Sequence, residues 1–110
     1  MMLSRKDIER IIREYVAIVR AAGIPVTEVR LFGSRARGTP RHEFSDIDLC
    51  VISPQFAKNR SAGWDTLLVA TTKLDSPVPI EPIPFTPGDL ADRYSTLATE
   101  IREQGERVEV

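Results

Sequence analysis

The run Ser45-Asp46-Ile47-Asp48-Leu49-Cys50-Val51-Ile52 constrains this chain more than any other stretch. Successive side chains of a β-strand point to opposite faces, so Ile47, Leu49 and Val51 turn toward a core. Asp46 and Asp48 then project from the other face, with Cys50 deeper along it. The aspartate Cα atoms lie roughly 6.5 Å apart, twice the strand rise. Carboxylates that close repel one another and hold their protons more tightly unless a cation sits between them. The chain must therefore build a sheet with one packed face and a second face that admits acids. Ser53-Pro54 stops the strand.

The flanking periodicities supply what covers such a sheet. Ser4, with Asp7 three residues later, resembles a helix N-cap with an acid in the first turn. Ile8, Ile11, Ile12, Tyr15, Val16 and Val19 follow at helical spacing, and Gly23 and Pro25 end that helix. Val26 to Phe32 reads as a strand closed by Gly33. Gln55 to Gly63 is polar and reads as loop. Trp64, Leu67, Leu68, Thr71 and Leu74 then give a second helical stripe. Val78 to Phe85 reads as a third strand despite its prolines. Leu90, Tyr94, Leu97 and Ile101 mark one helix over 89–104, and Arg107 to Val110 adds a short last strand. The order αββαβαβ implies an α/β (α+β) domain with a mixed sheet of three to four strands covered by helices. No repeat, low-complexity tract or linker divides residues 1–110, so a single domain is expected.

Composition excludes several classes. With 15 basic and 16 acidic residues the chain is nearly neutral, which argues against general nucleic-acid binding. No apolar stretch approaches a membrane span, and Met1 to Arg10 turns charged at once, unlike a signal peptide. The single cysteine forms no internal disulfide and fits a reducing cytoplasm. The charge is unevenly placed: Arg30, Arg35, Arg37 and Arg41 precede Glu43, Asp46 and Asp48. A basic loop beside an acidic strand can hold both a phosphate and its metal.

Gly33-Ser34-Arg35-Ala36-Arg37-Gly38 is that loop. Glycine directly after an apolar strand lets backbone approach a ligand closely. Serine at a helical start can offer its hydroxyl and backbone N–H groups to an anion. Arg35 and Arg37 are two apart and cannot share one face of a turn, so one is expected at phosphate and the other as a brace against an acid. Glu81 is the third acid. Pro82 and Pro84 lack N–H groups on the same side of their strand, which marks it as an edge strand that could bring Glu81 beside Asp46 and Asp48. Three acids around Mg2+ ions, with triphosphate, are the parts of two-metal phosphoryl transfer.

Gly-Ser-Arg-Ala-Arg-Gly followed by Ser-Asp-Ile-Asp-Leu resembles the signature of the DNA polymerase β-type nucleotidyltransferase superfamily. It is most similar to the minimal nucleotidyltransferases (MNT proteins) of prokaryotes. The similarity runs from the leading helix to the helix after the third acid. It implies a polymerase-β-like palm, two Mg2+ ions on Asp46, Asp48 and Glu81, ATP as substrate, and triphosphate contacts from Ser34 and Arg35 in the turn that begins at Gly33. It also implies a partner: many MNT proteins act as antitoxins to a HEPN-type toxic ribonuclease, some by moving AMP onto a toxin tyrosine. The third acid is often Asp in that family, and here it is Glu81. The chain ends soon after its last helix, so acceptor recognition is expected from a partner or a second copy.

The resulting expectation is Mg2+-dependent transfer of AMP from ATP to a hydroxyl of a partner toxin, with Glu81 as base. Two alternatives stay open: an antitoxin that neutralises its partner by contact alone, and a transferase for a small molecule of the antibiotic type. A homo-oligomer is also open. His42, Thr39, Arg41 and Glu43 read as surface loop, Cys50 as a buried inert thiol, and Trp64 as core or partner interface.

Overall fold

The computed structural model describes residues 3–38 and 45–110. His42, Thr39, Arg41 and Glu43 fall outside them. Helix α1 spans Arg5–Ala21, begun by the reciprocal capping box of Ser4 and Asp7. Strand β1 is Glu28–Phe32, and the single turn α2, Gly33–Ala36, follows without a break. Strand β2 is Ile47–Ile52, so Asp46 stands just before the strand. Helix α3 is Arg60–Thr72, β3 is Ile80–Phe85, α4 is Pro87–Leu90, α5 is Thr96–Gln104 and β4 is Glu106–Val108.

The four strands form one mixed sheet in the order β3-β2-β1-β4. β1 pairs antiparallel with β2 and β4, and β2 pairs parallel with β3. β3 is an edge, as its prolines require. The carbonyls of Pro79 and Phe85 accept from the N–H groups of Ile47 and Ser53. Odd-numbered residues of β3 therefore turn to β2, and Pro82 and Pro84 turn their nitrogens outward. Arg60 Nη1 donates to the outward carbonyl of Pro84 at 3.0 Å, which covers part of that edge.

Side-chain parity splits the core in two. Val29, Leu31, Ile47, Leu49 and Val51 face α1 and α3, meeting Ile11, Ile12, Tyr15, Val16, Val19, Leu67 and Ala70. Tyr15 is fully buried and its hydroxyl donates to the Leu67 carbonyl at 2.7 Å, tying α1 to α3. On the opposite face Cys50 and Ile52 pack under Ile101 of α5, with Phe32, Ile83, Phe85 and Leu90 around them. That second face carries Asp48 and Glu81 at one end.

Two segments differ from the sequence expectation. The stretch 55–63 is not loop: Ser53 caps a single 3-10 turn at Pro54–Ala57, and Asn59 Oδ1 accepts from Ala62 N to start α3 four residues before Trp64. The helix expected over 89–104 is broken. A capping box of Thr86 and Asp89 starts α4, which ends after one turn, and Ser95 starts α5 afresh by accepting from Ala98 N. Arg102 Nη1 donates to the carbonyls of Leu90 and Asp92, so the break is held by a side chain that later sequence supplies. Tyr94 lies in the break and is 97% exposed, off the apolar stripe.

Candidate active site

The acids meet because of strand register. In the parallel β2–β3 ladder Asp48 lies opposite Glu81, and on the other side Phe32 pairs with Asp48. Neighbouring strands stand about 4.8 Å apart, so the two carboxylates are lateral neighbours on one face. Asp46 precedes them on the same parity. Glu81 hydrogen-bonds to Asp46 and to Asp48, and the three carboxyls form one cluster.

The cluster is short of positive charge. Glu81 holds its proton above the usual carboxylate range, first because it donates to Asp46, then through burial and repulsion by both aspartates. Asp48 is raised chiefly by burial, with the charges of Asp46 and Glu100 adding to it. The bond from Glu81 and the guanidinium of Arg37 pull the other way. Oxygen donors this crowded suit Mg2+, which takes one or two carboxylates together with phosphate oxygens. Asp46, Asp48 and Glu81 could hold such an ion. Among the described residues no three His, Cys, Asp or Glu side chains stand ready at metal-ligand spacing, so these acids would have to reorient to share an ion.

The Gly33–Gly38 turn is built against the acids. Gly33 has φ +73°, and a Cβ there would overlap the Asp48 carboxylate, so only glycine fits. The N-cap position before the turn is Phe32, whose side chain cannot cap it. Ser34 follows, half-buried, at the first turn.

The two arginines differ in burial. Arg35 is buried at 8% exposure and its Nε donates to the Ser45 carbonyl at 2.8 Å. Burial lowers its pKa while the Asp46 charge raises it. Arg35 thus joins the turn to the residue that leads into Asp46. Arg37 is exposed, and its charge acts on Asp48. Cys50 shares the acid face but is fully buried, and burial pushes its thiol up to about 12, which makes it inert.

Glu100 was not legible beforehand. It lies on α5, next to Ile101, and its charge reaches Asp48 only because that helix crosses the second face. Sequence distance gave no sign of it.

The family model for the nucleotidyltransferase domain matches residues 9–105. The chain belongs to this nucleotidyltransferase family. Two solved structures share its fold. One is a toxin–antitoxin crystallised with AMP-PNP, 24% identical, with TM-score 0.60, covering 92% of this chain and 72% of that one. The other is a tyrosine-to-alanine mutant of the toxin–antitoxin MntA-HpeT, 23% identical, with TM-score 0.59, covering 88% and 70%. A comparison with curated proteins returned no match. Among the described residues of this nucleotidyltransferase-family chain, no helix is long and apolar enough to cross a membrane.

Proposed function

We propose that the chain transfers AMP from ATP to a hydroxyl of a partner toxin, a tyrosine of a HEPN-type protein, and so acts as an antitoxin in the cytoplasm. The observation that carries this reading is the convergence of Asp46, Asp48 and Glu81 on the face to which the Gly33 turn is fitted. The family match supports nucleotidyl transfer, and the likeness to toxin–antitoxin structures, one of them holding AMP-PNP, supports the nucleotide and the partner.

Asp46, Asp48 and Glu81 would hold two Mg2+ ions, whose charge offsets that of the triphosphate. Ser34 and the amides of the turn that Gly33 opens receive phosphate oxygens, and Arg37 adds charge from the solvent side. Arg35 acts from behind, keeping Asp46 in place through Ser45. The acceptor oxygen bonds to the α-phosphorus, the bond to pyrophosphate breaks, and the acceptor proton passes to a carboxylate. Glu81, opposite Asp48 on the neighbouring strand, is the carboxylate assigned to that task.

Incubating the chain and its toxin with α-labelled ATP and Mg2+ tests the proposal. Label should move to the toxin and should not move with Asp48→Asn. Transfer by that variant at the normal rate would overturn the assignment. An Asp46→Ala variant that still protects cells from the toxin would instead favour neutralisation by contact.

A further inference from the structure

The chain carries two tyrosines, and their surroundings are opposite. Tyr15 is fully buried, with its hydroxyl engaged by the Leu67 carbonyl. Tyr94, in the break between α4 and α5, is 97% exposed.

The backbone that carries Tyr94 is nonetheless held. Asp92 N donates to the Asp89 carbonyl at 3.2 Å, and Asp92 Oδ1 accepts from Tyr94 N at 2.9 Å. Arg102 Nη1 reaches from α5 to the carbonyls of Leu90 and Asp92 at 2.6 and 3.0 Å. Ser95 caps α5 directly after the tyrosine. Leu90 and Ile101, on either side of the break, pack on the sheet face that carries Asp48 and Glu81. A pinned main chain loses less freedom on docking than a loose one, so the phenol is presented outward in a form ready to be bound.

That orientation excludes the chain's own acid cluster as the place of reaction. A side chain 97% in solvent touches almost nothing of its own molecule. An attacking oxygen must stand about 3–3.5 Å from the atom it attacks. The cluster that Tyr94 can enter is that of a second copy. Charge favours the encounter, because Asp46, Asp48, Glu81 and Glu100 gather there and Arg93, next to Tyr94, is exposed. A phenol also gives up its proton more readily than the aliphatic hydroxyls nearby, and its oxygen stands farther from the backbone.

We propose that Tyr94 is a nucleotidylation site of this protein, modified in trans by a second copy of the chain. The proposal rests on the AMP transfer set out above. Tyr94 Oη bonds to the α-phosphorus of ATP held by the second copy, and the bond from that phosphorus to the pyrophosphate oxygen breaks. Pyrophosphate leaves with the electron pair of that bond. The phenol proton passes to a carboxylate of the same copy, and the product is a phosphodiester between Tyr94 and AMP.

Incubating the purified chain with α-labelled ATP and Mg2+, first alone and then with the toxin, tests this. The chain alone should take up label, peptide mapping should place it on Tyr94, and the initial rate per chain should double when the chain concentration doubles. Tyr94→Phe should lose the label while keeping its melting temperature and its transfer to the toxin. Asp48→Asn alone should also stay unlabelled, but mixing it with Tyr94→Phe should place label on the Asp48→Asn chain, since one copy supplies the acids and the other the phenol. Label at any other residue, or label that Tyr94→Phe retains, overturns the proposal. So does a rate per chain that dilution leaves unchanged, which is transfer within one molecule. Label on the toxin and none on the chain overturns this proposal alone, whereas label on neither overturns the underlying transfer as well.

Discussion

The backbone of Gly33 stands directly against the carboxylate of Asp48, so closely that a Cβ on Gly33 would overlap Asp48 Oδ2. This contact joins the end of β1 to the first acid of β2 and, under the proposed function, sets how near the phosphate cradle lies to the metal site. Gly33→Ala should suffer twice. Its φ of +73° costs an L-residue roughly 1–2 kcal/mol, and the methyl pushes Asp48 aside. Thermal unfolding should show the lower stability, and ATP binding should be lost with it. Retained binding would mean that Asp48 need not stay in place.

The acid cluster sets a pH dependence with a definite sign. Asp48 and Glu81 both bind protons more tightly folded than unfolded. Between the unfolded carboxylate values and the raised folded ones, the native state therefore carries more protons, and stability falls as pH rises through that window. Without divalent metal the chain should be more stable at the acid end of this window than above it. Asp48→Asn should flatten the curve and equal or exceed the wild type at neutral pH. Added Mg2+ should stabilise the wild type and not the variant. Melting temperatures across pH, with and without Mg2+, check all three statements.

Arg35 and Arg37 should separate cleanly. Removing buried Arg35 takes a hydrogen bond from the Ser45 carbonyl and loosens Asp46, at about 1–3 kcal/mol of stability. Arg35→Ala should therefore melt early and bind nucleotide poorly. Arg37→Ala should keep its melting temperature within about 0.5 kcal/mol of stability and lose affinity for the triphosphate, by roughly tenfold. The opposite assignment would show Arg37 as the stabilising residue.

Much of this was legible in the chain because local signals agreed with the fold. The Ser4–Asp7 capping box, the period of α1 and the alternation of 47–52 each point one way, and the structure follows them. Pro82 and Pro84 placed β3 at an edge for a reason of hydrogen-bonding geometry. The misreading of 89–104 arose where an apolar stripe at helical spacing outweighed caps. Thr86, Asp89 and Ser95 each satisfy backbone N–H groups locally, and Arg102 holds the resulting break from a distance. In 55–63 polarity outweighed the N-cap signal of Asn59. Within the candidate site, spacing showed that Arg35 and Arg37 must diverge without telling which one turns inward. That choice depends on the Ser45 carbonyl, and the proximity of Glu100 to Asp48 depends on how α5 crosses the sheet.

Cys50 offers an independent check on the second core. Buried under α5 with its thiol pushed up to about 12, it should resist thiol reagents in the native protein at neutral pH. It should react at once in denaturant. Fast native labelling would mean that α5 opens readily over the acid face.

The central claim is that Asp46, Asp48 and Glu81 form a metal-dependent nucleotide site. Calorimetric titration of ATP into the chain tests it most directly, run with Mg2+, without Mg2+, and with Asp46→Asn. The account predicts binding that requires Mg2+ and disappears in the variant. Binding that persists without metal or in Asp46→Asn, or no binding by the wild type with Mg2+, would contradict it.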